Sequence, residues 1–340
     1  MLPPFLNLGK NILLSNFNAL AAPYKLTFAV TYRCNARCST CNIWQRKSEN
    51  ELSLTEIEKI FERNRFSWIN LTGGEPFLRE DLPDLIRIIT EKNQDTYFLN
   101  FTTNGTLPEK MLAAAEKIRS FIRIPKFAIG VSVEGPPEID SKIRRMPNSF
   151  SLSLRTLKGL REIFKGTGYQ PFVSYTISPH NMGMVRQTID AIRSEIPDFR
   201  LTEFHVNLFH FSSHYYGNVD YQLDPEFEAK AIKEISDYLK LYSVPLNPDT
   251  WLEKKYLRLL IPFLEQQKTP LPCQALRASC YFDDRGNVYP CAMYDKIIGN
   301  LRESDYRLDS IWNSEGVRAT RKVIDDYQCP NCWTPCEAYQ

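Results

Sequence analysis

Three cysteines near the start of the chain, Cys34, Cys38 and Cys41, carry the most chemistry. They lie in Cys34-Asn-Ala-Arg-Cys38-Ser-Thr-Cys41, directly after the apolar run Leu26–Tyr32. Three thiolates on one short loop can hold three corners of a metal cluster and leave one position open. Structural zinc normally takes a fourth protein ligand. The first histidine is His180, so a local Cys₃His site is unavailable. The spacing therefore suits a [4Fe–4S] cluster whose fourth iron binds something from outside the protein.

The other six of the nine cysteines are Cys273, Cys280, Cys291, Cys329, Cys332 and Cys336. An odd, clustered set argues against a secreted disulfide framework and for a cytoplasmic metalloprotein in a reducing compartment. Six thiols exceed the four needed for one cubane and fall short of eight for two. One auxiliary [4Fe–4S] cluster is the economical reading, with Cys273, Cys291, Cys329 and Cys332 as its core set. Cys280 and Cys336 are alternative ligands, and a zinc site on four thiolates is the alternative metal.

Parallel βαβ units must position the first cysteine loop. Short β-like runs recur at Leu26–Tyr32, Trp68–Thr72, Tyr97–Thr103, Phe127–Val133, Phe172–Ile177 and Leu201–Asn207. Amphipathic helical patterns separate them. One opens on the capping box Ser53-Leu-Thr-Glu56 and others on Pro83 and Pro108. Six such repeats predict an α/β fold, a partial (β/α)6 TIM-like barrel over residues 25–210, with chemistry at the C-terminal ends of the strands. Two helical patterns, Asp224–Tyr242 and Trp251–Glu265, fall in a connection over 211–271. Residues 272–340 read as a small cysteine-rich domain whose core is supplied largely by metal. A hairpin is expected there, Tyr281–Asp283 against Asn287–Tyr289, turning at Gly286.

Taken together, the chain resembles the radical S-adenosylmethionine superfamily, whose hallmark is CxxxCxxC after the first strand of such a barrel. The resemblance extends along the barrel. The second strand ends in Leu71-Thr-Gly-Gly-Glu-Pro76, similar to the family's GGEP segment, and the third in Thr102-Thr-Asn-Gly105. The fourth ends in Ser132-Val-Glu-Gly135, where the family usually has Asp in place of Glu134. It implies reductive cleavage of S-adenosylmethionine at the open iron, giving a 5′-deoxyadenosyl radical that takes hydrogen from a substrate. It also implies an electron donor such as ferredoxin or flavodoxin. By the same resemblance, the glycines Gly73 and Gly74 would let backbone approach the cofactor, and Glu75 would hold its amine. Thr102, Thr103 and Asn104 suit ribose hydroxyls. Ser132, Glu134 and Asn181 are further polar contacts, and Arg144 would pair with the cofactor carboxylate. The family's usual aromatic residue before the third cysteine is Thr40 here, with Trp44 nearby as a substitute. The C-terminal spacing C-x₁₂-G-x₄-C and Cys329-Pro-Asn-Cys332 resemble the auxiliary-cluster domains of the same superfamily, called SPASM when they hold two clusters and twitch when they hold one.

The sequence Phe204–Tyr216 follows the sixth strand and holds three of the chain's four histidines. His205, Asn207 and Tyr215 are its polar candidates for contact with a substrate, which is a peptide, a small molecule or a lipid. Phe204, Val206 and Leu208 read as core. No evident domain for gripping a leader peptide precedes the barrel, which weighs against a peptide. No residue is singled out as a catalytic acid or base.

The bulk numbers set limits on partners. The net charge of +2 provides no global field for nucleic acid. No apolar run approaches the ~20 residues of a transmembrane helix. The segment 1–24 lacks the basic start and unbroken apolar stretch of a signal peptide. It reads as an arm or helix packed on the domain, with an interfacial helix as the alternative. A non-catalytic iron–sulfur or zinc scaffold is the rival to an enzyme.

Overall fold

The computed structural model describes residues 3–241 and 248–338. Six parallel strands lead the fold: β1 (Lys25–Thr31), β2 (Trp68–Gly73), β3 (Phe98–Thr103), β4 (Lys126–Ser132), β5 (Gln170–Ile177) and β6 (Phe204–Leu208). They pair in the order β6-β5-β4-β3-β2-β1. Helices α1 (Pro4–Ser15), α2 (Leu54–Arg63), α3 (Leu82–Lys92), α4 (Pro108–Phe121), α5 (Pro137–Arg144), α6 (Ser149–Ile163) and α7 (Val185–Glu195) accompany them. Pairs α2–α3, α3–α4 and α4–α6 touch, forming the outer layer of a partial barrel.

Side-chain alternation divides the strands into a core face and an inner face. Ile69 and Leu71, Leu99 and Phe101, and Val206 and Leu208 point outward into the core with the helices and are buried. Asn70 and Thr72, Asn100 and Thr102, Ser132, Thr176, His205 and Asn207 alternate with them and are half-buried. Register aligns them into rows. Ser132, Ser174 and His205 stand side by side across β4, β5 and β6, and Thr176 stands beside Asn207. The inner face of the barrel is thus a polar wall. Its lower rungs bond to one another: Trp68 Nε1 donates to Asn100 Oδ1 at 2.9 Å, and Asn100 Nδ2 to Asn70 Oδ1 at 2.8 Å.

The remainder is α8 (Phe227–Leu241), α9 (Pro248–Gln266), β7 (Ser279–Phe282), β8 (Asn287–Tyr289), β9 (Gly299–Asn300), α10 (Leu308–Trp312), α11 (Glu315–Asp325) and α12 (Pro335–Ala338). The expected hairpin forms, with Tyr281 opposite Tyr289 and Gly286 at φ +83° in its turn. It does not stand apart from the barrel. β7 pairs in parallel with β1, so the cysteine-rich segment extends the same sheet.

Two expected elements begin later than the sequence suggested. Residues 201–203 form a 3₁₀ turn because Glu203 reaches back to accept from Arg200 N at 2.9 Å, so β6 starts at Phe204. α8 starts at Phe227 because Asp224 folds into a turn, accepting from Glu226 N at 2.9 Å. Tyr242, at the end of that predicted helix, lies outside the described residues.

The capping box of α2 does more than start a helix. Glu56 accepts from Ser53 N at 2.8 Å and from Arg302 Nε at 2.6 Å, tying the barrel to the segment after β9. The Arg302 hydrogen bond is the main reason its carboxyl sits near 2 instead of 4.5. The stability it contributes is present above the ordinary carboxyl pKa and is lost as pH falls from about 4.5 towards 2. Glu56→Gln is therefore expected to lower stability by about 1 kcal/mol at pH 7, discounted for solvent screening. Urea titrations at pH 7 and pH 3 check this: the gap between wild type and variant should narrow at the lower pH.

Candidate active site and auxiliary cysteine site

The cysteine loop leaves β1 at the end where the six parallel strands terminate, and three separate elements grip it. Gly74 N donates to Thr31 O and Glu75 N to Arg33 O, each at 2.8 Å. A Cβ on Gly73 would lie 2.0 Å from Thr31 O, and one on Gly74 would lie 2.2 Å from Arg33 O. The two glycines are close-approach residues, as expected, but what they approach here is the backbone of the cysteine loop. On the second side, Ser39 N donates to Ile143 O at 2.8 Å and Arg37 N to Arg144 O at 3.3 Å. Asn104 Nδ2 donates to Asn35 Oδ1 at 2.8 Å. On the third side, Asn42 N donates to Tyr216 O at 2.7 Å, and Asn218 Nδ2 to Thr40 O at 3.2 Å.

Cys34, Cys38 and Cys41 are half-buried on this loop; Cys38 senses the charge of Cys34, and Cys41 that of both. Burial pushes the thiols of Cys38 and Cys41 up to about 12, and Arg144 pulls Cys38 back. Trp44 lies beneath the Arg37 guanidinium at 5.3 Å, and its buried Nε1 has no partner among the described residues. Among those residues no three His, Cys, Asp or Glu side chains converge as ligands of a single ion would. A cubane, by contrast, spreads its thiolates over separate irons. Three half-buried cysteines on one short loop, with the orphaned buried donor of Trp44 next along it, fit a bound cluster.

Glu75 is fully buried. Its Oε1 accepts from Thr103 Oγ1 at 2.8 Å and Phe77 N at 3.1 Å, and its Oε2 accepts from Asn104 N at 2.7 Å. Burial pushes its pKa up to about 7, against those three donors. Asn181 is buried too. Its Nδ2 donates to Glu134 O and Thr176 O, each at 2.8 Å, joining the ends of β4 and β5.

Arg144 is 1% exposed, and its guanidinium is engaged by protein on all sides. It pairs with Asp140 at 3.2 Å, donates to Asn104 O at 2.5 Å and Ser153 Oγ at 3.1 Å, and also to Ser132 O. The expectation of a residue turned towards a cofactor carboxylate differs from this placement: Arg144 ties the ends of β3 and β4 to α5 and α6. Thr102, Ser132 and Glu134 remain half-buried on the inner face. Burial raises the Glu134 carboxyl to about 7 while Arg144 opposes it. The structure therefore brings Gly73, Gly74, Glu75, Asn104 and Arg144 against the loop, while Thr102, Ser132, Glu134 and Asn181 stand at or just beyond the ends of β3, β4 and β5.

Sequence reasoning missed two frame residues. Asp140 accepts from Glu134 N at 2.7 Å and from Ser149 as well as pairing with Arg144. Its spacing four residues before Arg144 was the available signal. Glu253, on α9, accepts from His205 Nδ1 at 3.1 Å and Val206 N at 3.3 Å and so orients the imidazole on the inner wall. No local signal announces that pair. Asn207 donates to Ser174 Oγ at 3.0 Å, and Tyr215 reaches Thr72 and Gly73 O. His210 and His214 are buried, and burial drives both down to about 4. His214 stacks on Tyr289 at 4.5 Å and faces Cys291 O at 3.2 Å.

In the C-terminal segment, Cys273, Cys291 and Cys332 are each raised by charge on others of the set Cys273, Cys291, Cys329 and Cys332. Cys280 is set apart from this mutual influence. It lies in β7 at 1% exposure, packed in the core, and none of the other cysteines influences it. Glu337 raises its thiol as it raises those of Cys273, Cys291 and Cys332, so Cys280 stays an alternative ligand beside the core set. The side chain of Cys336 lies outside the described residues. Glu337, not anticipated, sits close enough to raise the thiols of Cys273, Cys291 and Cys332 and is held by Ser279 Oγ at 2.6 Å.

Residues 28–192 match the radical SAM superfamily, and residues 273–336 match the SPASM iron–sulfur cluster-binding domain. The chain is a radical S-adenosylmethionine enzyme with a SPASM domain. Membership implies a [4Fe–4S] cluster, S-adenosylmethionine and auxiliary iron–sulfur binding. It is 24% identical over 333 residues to the mycofactocin maturase MftC of Mycobacterium ulcerans, covering 93% of this chain and 81% of that protein. It is 31% identical over 172 residues to the Fe-coproporphyrin III synthase of Methanosarcina barkeri, a match covering 49% of this chain and only 40% of that protein. SuiB of Streptococcus suis bound to S-adenosylmethionine shares the fold, with TM-score 0.63, 16% identity, and coverage of 93% of this chain and 71% of that one. No described helix of this radical SAM enzyme is long and apolar enough to cross a membrane.

Proposed function

We propose that Cys34, Cys38 and Cys41 hold the [4Fe–4S] cluster and that S-adenosylmethionine lies over the strand ends from Gly73 to Glu134, beside a substrate on the polar inner wall. The observation that carries this reading is the convergence of the three thiols with the ends of β2, β3 and β4. When bound, the cluster supplies the electron that cleaves S-adenosylmethionine reductively, so that a 5′-deoxyadenosyl radical can take hydrogen from the substrate. The protein's own part is positional. Glu75, Asn181 and Arg144 hold the strand ends in register, while Thr102, Ser132 and Glu134 offer polar contacts on the cofactor side. His205, fixed by Glu253, and Asn207 offer them on the substrate side.

A peptide is the substrate class best supported. Relatives that align over nearly the whole chain are named a mycofactocin maturase and, at 23% identity, the subtilosin biosynthesis protein AlbA of Bacillus subtilis. SuiB has also been solved bound to its precursor peptide SuiA. Cys273, Cys291, Cys329 and Cys332 hold one auxiliary cluster, and a ferredoxin or flavodoxin is the electron donor. In the test, reconstituted protein reduced with dithionite should convert S-adenosylmethionine to 5′-deoxyadenosine and methionine in equal amounts. A short peptide encoded beside its gene should then change mass. Absence of 5′-deoxyadenosine above the unreduced control would sink the enzymatic reading. An unchanged peptide with active cleavage would remove only the substrate class.

A further inference from the structure

The end of the barrel opposite the cysteine loop carries an apolar face that the proposed chemistry does not use. α1 lies across the beginnings of the strands. Leu8 packs with Tyr24 and Ala278, joined by Ile12, Leu20, Trp68 and Tyr97. Phe5 meets Tyr97 at 5.5 Å between ring centroids, and Asn7 Nδ2 reaches Ser67 Oγ at 3.5 Å. That contact face is one side of the helix. The other side follows the i, i+4 rows Phe5–Gly9–Leu13–Phe17 and Leu6–Lys10–Leu14, one continuous strip.

The strip is unusually open. Phe5 is 62% exposed, Leu6 51%, Leu13 62%, Leu14 42%, and Phe17, just past the helix, 73%. Together they present roughly 500 Å² of apolar surface, the size at which a patch on a monomer carries a function. Among the described residues nothing covers Gly9, which has no atom outside its own helix backbone within 4 Å of its would-be Cβ. The strip's only charge is Lys10, and no acidic residue occurs in the chain before Glu49. Arg119 and Arg123 are exposed at the same end of the barrel, where α4 finishes. Glu91 and Glu195 are exposed on that rim as well, so the electrostatic attraction to an anionic surface is modest and the apolar contribution leads.

We infer that α1 is a docking helix for a lipid bilayer surface, lying flat in the interface with Phe5, Leu6, Leu13, Leu14 and Phe17 immersed and Lys10 at the headgroups. Two features favour lipid over a second copy of the chain. The strip falls short of the ~800 Å² per partner of a standard protein interface. It also combines aromatic residues at its two ends with leucines, a lone cation and no carboxylate, the composition of an interfacial helix. A helix of 12 residues spans about 18 Å, too short to cross the ~30 Å apolar core, so it lies on the membrane. Docked this way, the barrel turns its cysteine loop and polar wall to water. The helix is therefore an anchor and not a route for substrate.

The experiment is co-sedimentation of the full chain with vesicles of phosphatidylcholine alone and of phosphatidylcholine with phosphatidylglycerol. Wild type should bind both, and the mixed vesicles more tightly. Leu6→Ser/Leu13→Ser/Phe17→Ser should weaken partition at least about tenfold while thermal midpoint and 5′-deoxyadenosine formation stay unchanged, because these side chains are exposed and lie far from the site. Failure of wild type to sediment with either vesicle overturns the inference, as does binding that the triple variant keeps. A wild-type dimer in light scattering that the variant abolishes, without vesicle binding, assigns the strip to a second copy and overturns it too.

Discussion

Replacing Cys34, Cys38 and Cys41 together with alanine is expected to bring 5′-deoxyadenosine formation down to background while leaving about four irons on each chain. The loss follows from removing every protein ligand of the loop site. The retained iron follows from the separation of the two cysteine groups. Cys34, Cys38 and Cys41 lie on the loop after β1, whereas Cys273, Cys291, Cys329 and Cys332 lie in the segment from 273 onwards, around β7, β8 and α12. The residual cluster would be ligated by protein on all four irons, so added S-adenosylmethionine should leave its electron paramagnetic resonance signal unmoved. Cys291→Ala in an otherwise wild-type chain should cost that second cluster and soften the C-terminal segment, where metal ligation supplies part of the folding free energy. About eight irons in the alanine triple would mean two auxiliary clusters and defeat the single-cluster count. One zinc in place of iron would return the C-terminal site to the structural reading. Cleavage persisting in the triple would remove the loop from the chemistry altogether.

The strand ends were readable because their chemistry is local. Thr-Gly-Gly-Glu, Thr-Thr-Asn-Gly and Ser-Val-Glu-Gly each follow an apolar run, and such runs end where loops begin. The hairpin at Gly286 was readable for the same reason. The partnerships formed across the fold were hidden. His205 meets Glu253 only because α9 packs behind β6. Glu75 reads in sequence as a contact for the cofactor amine, and in the fold it is the buried acceptor for Thr103 and Asn104. The glycines were correctly marked as close-approach positions, but sequence cannot say what approaches. The fusion of β7 onto β1 was equally invisible, since parallel pairing over so long a separation leaves no periodic trace.

Arg144 is where the two readings of the site part most sharply, and Arg144→Met separates them. A side chain that merely awaited a cofactor carboxylate would be dispensable to the fold. Its removal would weaken S-adenosylmethionine binding and leave stability alone. The structure instead shows a guanidinium at 1% exposure paired with Asp140 at 0%, spanning Asn104 O, Ser132 O and Ser153. Deleting it strands a buried carboxylate and several acceptors, a loss of about 3–5 kcal/mol. Urea unfolding should show that loss as a lower midpoint at similar slope. Asp140→Asn/Arg144→Met should recover part of it, because the isolated charge is then gone, while the amide oxygen keeps Glu134 N and the amide nitrogen can donate to Ser149 Oγ. Cluster loading should fall with stability in the single variant, since Arg144 O and Ile143 O anchor Arg37 and Ser39 between the cysteines. If the single variant unfolds at the wild-type midpoint and fails only in binding S-adenosylmethionine, Arg144 belongs to the cofactor contacts and the framing role assigned to it here is wrong.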